Sequence, residues 1–253
     1  SYTGSSNNIQ VVDAVNNFNN DNTVLSSTSY SQGTGGNYTS STSFIDQQLN
    51  TNLQLMHIFS AGNAGFDDHG YGAGSGWGNI TGGYKAGKNV IACGNLNYLD
   101  VLEGSSSRGP ANDGRIKPDI CANGIGQLST DENNTYQVGG GTSAAAPGIA
   151  GITTQLYHAY RENNNGNNPD GGLLKACMLN TAEDLGNPGP DFQHGWGRVN
   201  ALKAVTEFDI PGLQITEIVT IEAPGGNGDD IIDAGETIDV SITFKNYLAN
   251  ATG

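Results

Sequence analysis

Apolar residues recur at helical spacing in "IQVVDAVNNF", residues 9–18, and an asparagine-rich break then leads into "NTVLSSTSY", a predicted strand. Helical periodicity returns in "TSFIDQQLN". "LQLMHIFSAGN" reads as a strand buried on both faces and ended by a tight turn, and "NVIACGNLN" and "IKPDICANG" supply two more short buried strands. The longest helical pattern is "TSAAAPGIAGITTQLYHAYREN". Beyond the polar loop "RENNNGNNPDGG", "LLKACMLNTAEDL" and "GRVNALKAVTEF" are again helical. Short apolar strands alternating with helices predict a parallel sheet covered on both faces, a three-layer αβα arrangement of α/β class.

After Pro211 the period changes. "LQITEIVTIEA" and "TIDVSITFKN" alternate as strands around the acidic turn "PGGNGDDIIDAGE". The expected organisation is one α/β domain over residues 1–208 and the start of a β-sandwich over 209–253. Two strands cannot bury a sandwich core, so this second part is expected to be truncated. The first residues, "SYTGSSNN", carry no initiator Met, and the chain is expected to be a processed or partial product.

Composition narrows the function classes. In 253 residues there are 38 glycines and 8 prolines with 36% apolar content, a loop-rich globular chain. A formal charge of −15 with only 10 Lys and Arg argues against nucleic acid as a partner. No apolar run approaches the roughly 20 residues that a membrane span requires. Cys93, Cys121 and Cys177 lie far apart, outside zinc or redox spacing, and read as buried structural positions.

The chemistry centres on "GGGTSAAAPGIAG", Gly139 to Gly151. Ser143 stands where a helix begins, beside free backbone N–H groups and the positive end of the helix dipole, which suits a developing oxyanion. Ser143 or Thr142 as a simple helix cap is the competing reading. Pro147, taken as part of the first turn, has no helical N–H partner to lose there.

"GTSAAAP" together with "SAGNAG" and "SSSRGPANDGRIKPDICANG" resembles the subtilisin-like serine peptidases, the subtilases. Gly141, Thr142, Ser143, Ala145 and Pro147 match the motif of the nucleophilic serine, and Asn63 falls on the residue whose side-chain amide completes the oxyanion hole. "GWGRVNALKAV", Gly195 to Val205, resembles the helix that commonly ends such domains. The resemblance implies a serine endopeptidase acting on proteins or peptides outside the cell or at its surface, through an acyl-enzyme on Ser143. It also implies that Ser29, Tyr30 and Ser31 pair with the substrate main chain. Ser60, Ala61 and Gly62 would then line the other wall of the pocket for the side chain that precedes the cleaved bond.

The family's Asp and His motifs are not found upstream of Asn63: Asp13, Asp21 and Asp46 lack the context, and His57 lies inside a strand. His69 follows Asn63 where the family's base precedes it, and His158 and His194 read as structural. The expectation is that both triad partners belong to a missing upstream part and that this chain alone is inactive. The alternatives are a catalytically dead peptide binder or a surface adhesion protein of the same descent. No cofactor is implied. Asn227, Asp229, Asp230, Asp233 and Glu236 cluster oxygen ligands as calcium prefers, although a solvated acidic turn is the stronger reading.

Overall fold

The computed structural model describes residues 11–248 apart from 32, 70, 224–226, 228 and 230. The start of the first helical stretch and Asp230 of the acidic turn lie outside the described residues. The chain divides into two compact units, Ser1–Ala204 and Val205–Gly253.

In the first unit, α1 (Val11–Asp21), β1 (Leu25–Thr28), α2 (Ser40–Thr51), β2 (Met56–Ser60), β3 (Ile91–Leu96) and β4 (Ile120–Asn123) follow in order. The four strands form a parallel sheet in the order β1-β2-β3-β4. Every residue of β2 and β3 is buried. Successive strand residues face opposite sides, so such strands need cover on both. Leu55 and Phe59 pack with Ile45 and Leu49 of α2, against Val15 and Phe18 of α1. The opposite face is covered by α3 (Thr142–Asn163), which contacts all four strands, and by α4 (Gly171–Asn180), where Gly171 lies so close to Met56 that a Cβ would meet its Cγ at 2.6 Å. The αβα layering predicted from the apolar pattern is thus present.

One pair of strands was not predicted. β5 (Gln127–Asp131) and β6 (Thr135–Gly139) form an antiparallel hairpin whose residues are all exposed, joined through Asn133 and Asn134 at φ 56° and 62°. The last helix, α5 (Ala201–Thr206), is shorter than its sequence pattern. Arg198 is instead drawn into bridges with Cys121 and Glu183, and the Val199 N–H donates to the Cys121 carbonyl at 3.0 Å. In the second unit β7 (Leu213–Glu222) and β8 (Ile238–Asn246) pair antiparallel, with an irregularity between Ile215 and Glu217.

At the α4 side of the sheet three charges meet. Lys117 Nζ stands 2.5 Å and Lys175 Nζ 2.9 Å from the Asp119 carboxylate, which also accepts the Ala92 N–H at 2.7 Å. Burial alone would raise the Asp119 pKa, but Lys117 and Lys175 outweigh it and hold the carboxyl below its ordinary value. The stability it contributes is present above the unfolded carboxyl's pKa, about 3.9, and is lost as pH falls through the lower folded value. Asp119→Asn removes the counter-charge of the buried Lys117 and the half-buried Lys175 and is expected to cost about 3–5 kcal/mol at pH 7. Urea unfolding of the purified chain measures it, and a loss below 1 kcal/mol contradicts it.

Candidate active site

α3 begins where β2 and the segment after β1 come together. Gly141 precedes it at φ 96°, and a Cβ there would lie 3.0 Å from Asn63 Nδ2, so glycine is required both by conformation and by space. Thr142 is fully buried and ties two segments together. Its hydroxyl accepts the Gly62 N–H at 3.2 Å and donates to Asn63 Oδ1 at 3.0 Å, while its own N–H donates to the same Oδ1 at 3.0 Å. A backbone N–H can only donate, so the oxygen of the Asn63 amide is fixed on Thr142 and its NH2 group is turned outward.

That NH2 group makes no hydrogen bond among the described residues, and neither does the adjacent backbone N–H of Ser143. The first turn is otherwise supplied: the Ala144 and Ala145 N–H groups donate to the Gly141 carbonyl at 2.9 and 3.2 Å. Ser143 Oγ accepts from no backbone amide and has no partner among the described residues, so it does not cap the helix. The site therefore presents a half-buried hydroxyl next to two unused donors at the N-terminus of a helix of 22 residues.

Pro147 lies deeper in the helix than its sequence reading. Its missing N–H would have donated to the Ser143 carbonyl, four residues back, so one helical hydrogen bond is forfeited. Ser29 Oγ donates to that carbonyl instead, at 3.1 Å. The segment Ser29–Ser31 is thereby brought against the helix start. Ser60 ends β2, Ala61 is fully buried with its N–H on the Cys93 carbonyl at 2.9 Å, and Gly62 adopts φ 119°. Ser29, Ser31, Gly62 and Asn63 thus lie around one helix terminus, joined through Thr142, Ser143 and a lysine absent from the sequence reading. Lys85, on the short 3-10 turn Gly83–Ala86, donates from Nζ to Ser31 Oγ at 2.8 Å. Nothing in "GGYKAGKN" marks that lysine as buried.

Three of the four histidines are engaged elsewhere. His57 is buried in β2, its Nδ1 2.5 Å from Ser26 Oγ on the paired strand, and burial pushes its pKa down to about 4. His158 is exposed and 3.9 Å from Glu162. His194 is buried beside Asp191 at 3.4 Å. His69 is half-buried, and its Nε2 has no partner among the described residues. In the second unit, the Glu236 carboxylate accepts the N–H groups of Asn227 and Asp233 at 3.2 and 3.0 Å, and Asn227 Oδ1 accepts the Asp229 N–H at 3.0 Å. Among the described residues no group of three or more His, Cys, Asp or Glu is placed to hold a metal ion.

Known proteins share sequence and fold with the chain. The family model of the subtilases, Peptidase_S8, matches residues 2–197, and the chain belongs to the subtilase family of serine proteases. The thermophilic serine proteinase of Bacillus sp. (strain AK1) is 30% identical over 119 residues, 47% of this chain and 26% of that protein. The membrane-bound transcription factor site-1 protease of Homo sapiens is 30% identical over 122 residues, 46% of this chain and 11% of that protein. The autotransporter lipoprotein NalP of Neisseria meningitidis serogroup B (strain ATCC BAA-335 / MC58) is 29% identical over 120 residues, 47% of this chain and 9% of that protein. The matched stretches thus span about a quarter or less of these relatives. Among solved structures, the prenylagaramide maturation protease PagA superposes with a TM-score of 0.62 at 21% identity, over 81% of this chain and 70% of that one, which shows the shared fold.

Proposed function

We propose that this chain carries the nucleophile and oxyanion hole of a subtilisin-like serine endopeptidase. Ser143 Oγ attacks the scissile carbonyl, and the oxyanion that forms is held by the Ser143 N–H and Asn63 Nδ2. The observation that carries this reading is that both donors are unused while Thr142 fixes the orientation of Asn63. Ser29, Tyr30 and Ser31 bind the substrate backbone on one side, and Ser60, Ala61 and Gly62 form the other wall of the pocket. The base and its carboxylate partner come from outside the described residues, because each described histidine is buried, held by another side chain, or without a bond to Ser143. The substrate is a protein or peptide, and the work is done outside the cell or at its surface. One relative is an autotransporter lipoprotein, and no described helix is long and apolar enough to cross a membrane.

Asn63→Ala tests the oxyanion hole in the complete encoded polypeptide. Its amide is asked to bind charge present mainly in the transition state, so kcat is expected to fall about 10²–10³-fold with KM nearly unchanged, a magnitude taken over from the corresponding donor of a subtilisin. A change confined to KM takes Asn63 out of the oxyanion hole. A full-length protein that neither cleaves peptides nor reacts with a fluorophosphonate favours the binding-only descendant.

A further inference from the structure

Two lysines of the first unit have almost no exposed surface, and they are treated differently. Lys117, 1% exposed, has the Asp119 carboxylate at 2.5 Å. Lys85, 2% exposed, has only the Ser31 hydroxyl, and no carboxylate stands within ion-pair distance of it among the described residues. An ammonium withdrawn from water is costly unless it is paired, and where the fold needs a buried lysine at the sheet it supplies the partner. Lys85 lacks one at the candidate site itself.

Its position is specific. Nζ is bonded to Ser31 on one wall, and on the other it stands 3.6 Å from where a Cβ of Gly62 would be. The Gly83–Ala86 turn that carries Lys85 is packed behind Ser31, since a Cβ on the preceding Gly82 would meet Ser31 Cβ at 2.7 Å. Gly62 has no side chain to intervene, so the ammonium lies between the two segments read as pocket walls. Burial pushes the Lys85 pKa down to about 8, which leaves it mainly protonated at neutral pH.

We infer that Lys85 is the specificity-determining residue of this pocket, its ammonium pairing with the carboxylate of an Asp or Glu side chain immediately before the scissile bond. The inference rests on the reading of Ser29–Ser31 and Ser60–Gly62 as the pocket walls. An incoming carboxylate supplies the counter-charge that the fold withholds, in surroundings where water screens the pair poorly. A neutral side chain of the same length leaves the ammonium unpaired and is rejected.

Two measurements test it. In the complete polypeptide, kcat/KM is compared for tetrapeptide anilides that differ only in Glu, Asp, Gln or Leu before the bond. The acidic substrates are expected to lead, and Lys85→Met to lower the Glu-to-Leu ratio about 100-fold. In the purified 253-residue chain, N-acetyl tetrapeptides ending in Glu and in Gln are titrated at equilibrium. At least about tenfold tighter binding of the Glu peptide is expected, and this comparison needs no variant to fold. A ratio that Lys85→Met leaves unchanged, with every substrate slowed alike, makes Lys85 a strut between the walls and overturns the inference, as does equal binding of the two peptides. If the complete polypeptide cleaves nothing, the hydrolytic reading fails, and the Glu–Gln binding comparison alone decides for or against Lys85.

Discussion

Ser143→Ala in the complete polypeptide is expected to lower kcat by about 10⁶-fold, the size of loss known for the same change in a subtilisin and taken over from that enzyme. The fold has little stake in the hydroxyl. Ser143 Oγ accepts no backbone amide, and the start of α3 is supplied by Asn63 Oδ1 and the Gly141 carbonyl. Stability is therefore expected to change by no more than about 0.5 kcal/mol. Some acceleration over water should survive, because the Ser143 N–H and the Asn63 amide remain. Steady-state kinetics on a peptide anilide, with thermal unfolding as the control, checks both parts. Activity within tenfold of the unaltered protein contradicts the assignment of the nucleophile.

The second large effect concerns the 253-residue chain by itself, which is expected neither to hydrolyse peptides nor to be labelled at Ser143 by a fluorophosphonate probe. A serine hydroxyl is a poor nucleophile until a base takes its proton, and loss of the histidine in a subtilisin triad, a figure again taken over from that enzyme, costs about 2 × 10⁶ in kcat. Ser143 has no such neighbour among the described residues. His57 is buried inside the sheet and carries a pKa pushed down to about 4 by that burial, so it is no proton shuttle for α3. Mass spectrometry of probe-treated protein gives the answer. Stoichiometric label at Ser143 means that a base is present, and His69→Ala is then the variant to make.

The buried elements were readable because their chemistry is local. The 22 residues of α3 run from Thr142 to Asn163 as their pattern predicts, and the strands β2, β3 and β4 are short, largely apolar runs. The β5–β6 hairpin is hard to read in the sequence because Leu128, Tyr136 and Val138 share a face that nothing buries, which leaves Asn133-Asn134 as the one turn signal. Lys85 could not be found at all. Its burial arises from a contact with Ser31, 54 residues away, and nothing in its own neighbourhood of glycines announces it. Pro147 shows a subtler failure: its place in the motif was plain, but whether it removes a helical bond depends on where the helix begins. The last helix is shorter than its sequence pattern for a similar reason, since pairing of Arg198 and Val199 with β4 and Glu183 overrides helix propensity at its start.

The rung that Pro147 takes out of α3 leaves the Ser143 carbonyl for Ser29, 114 residues away in sequence. On the proposed reading, the arm that would receive a substrate and the helix that would carry the nucleophile are in consequence geared together through a single hydroxyl. A displacement of the Ser29–Ser31 backbone, such as a docking peptide would impose, is then expected to reach the peptide unit bearing Ser143 without passing through the sheet. With an alanine in place of the proline the helix would close that bond upon itself, and the gear would slip.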